Sequence, residues 1–172
     1  MAKIVTQQGD DGSTRFAGKR FAKDDALIEV LGELDELVAT LGLVHLYEPH
    51  WEVRAELREL QDHLLSACQW LAAVASGKDP DSAELKDFLE EITRRCQRLE
   101  AELSPEPRPV LPGEHMSATY LDYARTVARR CERRAAGLKR AGDVDPGVLL
   151  PLLNRVSDYL WLMARRAELH PP

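Results

Sequence analysis

The chain has 172 residues, a formal net charge of −6 and 44% apolar side chains. That length suits one domain with a sizeable core, and the negative balance argues against nucleic acid as the main partner. No apolar run reaches membrane-spanning length, and Met1-Ala2-Lys3-Ile4-Val5 has no signal-peptide core, so the expected setting is the cytoplasm, with no membrane partner.

The first 23 residues differ from the rest. Thr6-Gln7-Gln8-Gly9-Asp10-Asp11-Gly12-Ser13-Thr14 is a cluster of turn formers and hydroxyls. Gly9 and Gly12 allow a close backbone approach, and such a loop can aim successive N–H groups at an anion. It lacks the Gly-Lys-Ser/Thr ending of a Walker A loop. A plain flexible terminus is the alternative reading.

A first helix is predicted from about Asp25 to Leu46, with Leu27, Leu31, Leu34, Val38 and Leu41 inward. Ile28, Gly32, Asp35, Ala39 and Gly42 form an adjacent face of mostly small residues, where a neighbouring helix can come close. Asp35 on such a face needs a cationic or hydrogen-bonding partner. Pro49-His50-Trp51 breaks the chain. A second helix, about Trp51 to Ala75, turns Val53, Leu57, Leu60, Leu64, Cys68 and Leu71 inward. A third, about Ser82 to Leu103, turns Leu85, Leu89, Ile92, Cys96 and Leu99 inward beneath a densely charged outer face.

Four prolines, Pro105, Pro107, Pro109 and Pro112, preclude a regular helix in the next loop, which is long for a bundle connection. The fourth helix, about Ser117 to Arg140, carries two rows. Arg125, Arg129, Glu132 and Arg133 share one side; Ala124, Ala128, Cys131, Ala135 and Leu138 form a small apolar seam beside it. A solvated basic face is the bland reading of the first row. A fifth helix, about Gly147 to Leu169, turns Leu149, Leu152, Val156, Leu160 and Met163 inward, with Asn154 and Asp158 one turn apart on another face. No stretch alternates with a period of two for long enough to predict a strand. The expected architecture is all-α: one domain over residues 1–172, with an N-terminal loop over 1–23 and an antiparallel bundle of about five helices over 25–169. Cys68, Cys96 and Cys131 sit in helical patterns and read as free thiols, and the five histidines show no metal-ligand spacing.

Together these stretches resemble one family. Thr6-x-x-Gly9-Asp10-x-Gly12-Ser13-Thr14, Gly18-x-Arg20-x-x-Lys23-Asp24-Asp25 and Gly32-x-x-Asp35-Glu36-Leu37 resemble the N-terminal signature of the PduO-type ATP:cob(I)alamin adenosyltransferases. Leu111-Pro112-Gly113, Ala124-Arg125-Thr126-Val127-x-Arg129-Arg130-x-Glu132-Arg133 and Leu153-Asn154-Arg155-x-Ser157-Asp158-Tyr159-Leu160 resemble its later signatures. The resemblance implies a ferritin-like helical bundle assembled as a homotrimer, with active sites between subunits. It implies that cobalt(I) of a reduced corrinoid attacks the 5′ carbon of ATP, giving adenosylcobalamin and triphosphate. Because the cobalamin supplies the nucleophile, no serine, cysteine or histidine base is needed. By the same resemblance Lys23, Arg129 and Arg133 face the triphosphate, with Mg2+ as helper. Thr6, Gln7, Gln8, Gly9, Ser13 and Thr14 line it, Arg130 belongs to the ATP site, and Glu132 and Asn154 hold the nucleoside. Arg125 pairs with Asp35 of a neighbouring subunit, and Pro109, Val110 and Asp158 lie at the corrinoid. A cobalamin reductase and an adenosylcobalamin-dependent enzyme are the implied partners. Pro109 stands where the family has a phenylalanine that shields the lower corrin face, Glu114 replaces a glycine, and Gln7 replaces a basic residue. These departures motivate a second reading, a binding relative that holds ATP or an adenosylated corrinoid for delivery or sensing.

Overall fold

The computed structural model describes Val5, Gln7 and residues 9–104, 110–142 and 144–169. It contains a short hairpin, β1 (Ser13–Phe16) and β2 (Lys19–Ala22), followed by α1 (Ala26–Tyr47), α2 (Trp51–Ala75), α3 (Ala83–Leu103), α4 (Met116–Ala141) and α5 (Leu149–Leu169). Local chemistry sets several of the helix ends. The Asp25 carboxylate accepts from the Leu27 amide at 2.9 Å and caps α1. Gly142, at φ 80, closes α4 in the left-handed conformation that glycine takes without a Cβ penalty.

Around the core the helices run in the order α2, α1, α4, α5, α3, with α2 and α3 touching only lightly. Five helices in such a ring cannot alternate throughout, so one neighbouring pair must be parallel. That pair is α3 and α5: the Cys96 thiol reaches the Arg155 carbonyl, and further along both helices Leu99 and Glu102 meet Tyr159 and Arg166. The expected all-α bundle of about five helices is thus observed, with its ring neighbours antiparallel except at this one contact.

The inward seams of α4 and α5 are buried as predicted. On α1 and α2 the centre of burial is rotated. Val30, Leu37 and Val44 are fully buried on α1, and Ala67 on α2, while Leu31, Val38, Val53 and Cys68 only pack at its margin. The flanking helices explain the shift, since each of these faces is shared between two neighbours.

The hairpin corrects the expectation of no strand. Ser13 pairs with Ala22 and Phe16 with Lys19, and the turn places Ala17 at φ 50 and Gly18 at φ 78, the positive pair a two-residue hairpin turn requires. Thr14, Phe16, Lys19 and Phe21 share the face toward the bundle. Phe16 and Phe21 pack on the core, and the Lys19 ammonium donates to the Ala75 carbonyl at 3.1 Å, satisfying an orphan acceptor at the end of α2. The hairpin is thereby stapled along the bundle.

Candidate active site

The N-terminal turn is built by its own polar groups. The Gly12 amide donates to the Gly9 carbonyl at 3.3 Å, and the Lys23 amide donates to the Gly12 carbonyl at 2.9 Å. Asp11 accepts from the Ser13 hydroxyl at 2.7 Å and the Ser13 amide at 3.0 Å, and pairs with Arg20. The Ser13 hydroxyl and amide, then Arg20, hold the Asp11 carboxyl below its ordinary value. Ser13 also accepts from Arg20 Nε at 2.9 Å, so its hydroxyl is committed to shaping the turn. Gly9 is a position where a side chain would be crowded: a Cβ there would lie 3.1 Å from the Ser13 carbonyl oxygen and 3.3 Å from Lys23 Nζ. The Lys23 ammonium thus arches over the turn.

Between the hairpin and α1 lies an open groove of about 480 Å³, lined by Thr14, Lys23, Ile28, Glu29, Gly32, Glu33 and Glu36. Thr14 and Lys23 are expected site residues; Thr14 stands on the bundle-facing side of β1 and Lys23 follows the end of β2, and both line the groove. The acidic wall is what sequence reading missed. Glu29, Glu33 and Glu36 follow one another at helical spacing on α1, and that spacing was the available signal. Two of these acids hold Arg130. Its Nε donates to Glu33 at 2.6 and 2.8 Å and its Nη2 to Glu36, while Arg134 pairs with Glu29 at 2.9 Å. Arg130, expected at the nucleotide, is here a strut between α4 and α1, and Glu36 and Glu33 hold it firmly charged.

Arg125, Arg129 and Arg133 occupy another flank of α4. Arg125 Nε donates to Asp122 at 3.1 Å, and Asp122 reaches α5 through Arg165. Arg129 and Arg133 follow Arg125 at one and two turns and are exposed; Arg133 also donates to the Arg129 carbonyl at 3.1 Å. Glu132 is half-buried beside them, and Asn154 is exposed on α5. Asp158 accepts from Arg155 at 2.9 Å. Asp35 is exposed on α1 with no ion pair or side-chain hydrogen bond among the described residues, so the close packing expected around it is not made within one chain. Gln7 is exposed at φ 59, and Val110 is half-buried where the proline-rich loop nears α4. Thr6, Gln8 and Pro109 lie outside the described residues.

The thiols are withdrawn from chemistry. Burial pushes Cys68 up to about 11 and Cys96 up to about 12, and raises Cys131 further. Among the described residues no group of three His, Cys, Asp or Glu side chains could hold a metal ion, and no helix is long and apolar enough to cross a membrane.

Residues 4–167 match the sequence model of a single family, described as cobalamin adenosyltransferase. The chain belongs to that family. The corrinoid adenosyltransferase of Bacillus subtilis is 36% identical over 168 residues, covering 95% of this chain and 85% of the relative. That of Citrobacter freundii is 31% identical over 173 residues, covering 99% and 98%. Among solved structures, a variant PduO-type ATP:corrinoid adenosyltransferase from Lactobacillus reuteri, complexed with cobalamin and ATP, superposes with a TM-score of 0.83 at 31% identity, covering 97% of this chain and 91% of that one. A second variant of the same enzyme, complexed with ATP, gives 0.82. Kinship to the cobalamin adenosyltransferases therefore spans both the groove on α1 and the arginine flank of α4.

Proposed function

We propose that this chain transfers the 5′-deoxyadenosyl group of ATP to the cobalt(I) of a reduced corrinoid, giving adenosylcobalamin and triphosphate. Whole-chain kinship to corrinoid adenosyltransferases supports the reaction. The observation that carries the residue assignment is that Lys23 lines a groove on α1 while Arg129 and Arg133 stand exposed on the α4 flank that turns toward α5. Arg130 and Arg134, which do reach α1, take the side of α4 between them.

A homotrimer with sites between subunits accounts for this division. Gly32, Asp35 and Ala39 leave an exposed, small-residue flank on α1, and Gly32 also lines the groove. A neighbour's Arg125 on Asp35 would bring its Arg129 and Arg133 to the mouth of that groove, about 6 and 12 Å further along the helix. Asp35 then gains its charge partner, and Lys23 faces two more cations across the triphosphate.

The reaction needs little from protein acids and bases. The cobalt–carbon bond forms from the electron pair of cobalt(I), the 5′ carbon–oxygen bond breaks, and its pair leaves on the triphosphate. The protein holds the 5′ carbon in line and meets the departing charge with fixed cations. Lys23, Arg129 and Arg133 are assigned that charge, with Thr6, Gln7, Gln8, Gly9, Ser13 and Thr14 along the phosphates and Glu132 and Asn154 at the nucleoside. Arg130 is assigned to the ATP through Nη1, the nitrogen that Glu33 and Glu36 leave unused. Pro109, Val110 and Asp158 are assigned to the corrinoid. Mg2+ is assigned to the ATP phosphates, since the described side chains offer it no site of their own, and no step is routed through it. The setting is the cytoplasm, with a cobalamin reductase upstream and an adenosylcobalamin-dependent enzyme downstream.

Anaerobic mixing of the protein with ATP and chemically preformed cob(I)alamin tests the assignment. Growth of the adenosylcobalamin spectrum is expected. No product, with ATP still bound, would favour the binding-protein reading, which Pro109, Glu114 and Gln7 motivate.

A further inference from the structure

Asp122 is the one acid of α4 that the fold buries, with its side chain 5% exposed. A lone carboxylate there would be strongly disfavoured. Both of its oxygens are taken: Oδ1 accepts from Arg125 Nε at 3.1 Å and Oδ2 from Arg165 Nη2 at 2.6 Å. The two arginines are not equivalent. Arg165 is 10% exposed, shares its Nη2 with Glu168 at 2.8 Å and lies 5.5 Å from the Trp161 ring centroid, so it is locked into α5. Arg125 is 28% exposed and spends only Nε on Asp122; its Nη1 and Nη2 make no hydrogen bond among the described residues. A guanidinium gripped at Nε has its plane set, while its two terminal nitrogens remain as a fork for a carboxylate or phosphate.

We propose that Asp122 is a positioning residue of the active site: anchored to α5 through Arg165, it holds Arg125 with its free edge presented outward. The inference rests on the reading that Arg125 belongs to the site. An unrestrained arginine would have to give up its side-chain freedom each time the site assembled; the buried carboxylate removes that freedom during folding. A salt bridge that served stability alone would not need to leave one partner's bidentate edge unused.

The experiment is a double-mutant cycle on kcat/KM for ATP, with preformed cob(I)alamin and with thermal unfolding recorded for each variant. Asp122→Asn keeps the shape and one acceptor oxygen but removes the charge. It is expected to lower kcat/KM by about ten- to a hundredfold, the range a misplaced catalytic group can cost. In the Arg125→Ala background the same substitution is expected to cost less than about twofold, because the residue it acts through is gone. Should Asp122→Asn fail to fold, Asp122→Asn/Arg165→Met removes the buried charge together with its partner, a change that buried ion pairs tolerate. Its kcat/KM is expected to fall as far as for the single variant, with unfolding near wild type. Equal losses in both backgrounds, or wild-type kcat/KM in either folded variant, would overturn the proposal. Wild-type kcat/KM in Arg125→Ala alone would instead remove Arg125 from the site, and the proposal with it.

Discussion

Gly9→Ala is a small change whose effect is calculable. Gly9 does not have a positive φ, so alanine brings no backbone strain. The cost is contact: the new Cβ would sit 3.1 Å from the Ser13 carbonyl oxygen and 3.3 Å from both Cε and Nζ of Lys23. The carbonyl is fixed in the hairpin, whereas the lysine end is flexible, so the lysine gives way. If its ammonium retreats by about 0.3 Å from a phosphate charge about 4 Å away, the Coulomb energy at an effective dielectric of about 20 falls from about 4.2 to about 3.9 kcal/mol. That difference, about 0.3 kcal/mol, corresponds to about a 1.6-fold rise in the KM for ATP. The assay is steady-state adenosylation with preformed cob(I)alamin at varied ATP, beside Lys23→Ala. Lys23→Ala is expected to exceed the alanine effect at Gly9, and the double variant to add nothing to Lys23→Ala. An unchanged KM in Gly9→Ala, or additive losses in the double variant, would refute the argument that Lys23 is posed over this turn for the phosphates.

Arg129→Ala is expected to lower kcat/KM by about a hundredfold, as loss of a preorganised charge at a leaving group does, while Arg94→Ala, which loses only exposed pairs to Glu90 and Glu91, stays within about twofold; equal behaviour would make the α4 row a solvated face. Light scattering is expected to give a trimer at micromolar concentration and Asp35→Asn to weaken it; a monomer with ATP present would end the shared-site assignment. Pro109→Phe is expected to increase the four-coordinate cobalt(II) fraction seen by electron paramagnetic resonance with ATP bound; an abundant signal in the unmodified protein would show that another group already shields the lower face. In thiol titration at about pH 8, raised pKa values keep Cys68, Cys96 and Cys131 largely protonated, so native protein is expected to react slowly and all three thiols to react on unfolding; rapid native labelling of Cys131 would contradict its burial. Asp11 carries the opposite sign: its contribution to the turn is present above its unfolded value of 3.8 and is lost only as pH falls through its lower folded value. Changes in ATP KM between about pH 6 and 8 should therefore survive Asp11→Asn.

The five helices and their approximate ends were legible because helix formation is a local matter. A 3.6-residue period, the Asp25 cap, Pro49, the proline-rich loop and Gly142 all act within a turn of the residues they govern. The seams of α4 and α5 were legible for the same reason, and so was the row Arg125, Arg129 and Arg133. The hairpin was not, because two four-residue strands are too short for alternation to register, and Ala17-Gly18 is a weak turn signal until the flanking pairing exists. Periodicity marks an apolar face without saying which helix covers it. The parallel α3–α5 contact and the rotated stripes of α1 and α2 were therefore settled only by packing. Charge partners are decided in the same way. Arg130 meets Glu33 across 97 residues of sequence, and Arg165 meets Asp122 across 43. In the sequence Arg129 and Arg130 are adjacent members of one basic run. In the fold the 100° between them sends Arg130 to the carboxylates of α1 and leaves Arg129 exposed, because a helix turns consecutive residues toward different neighbours.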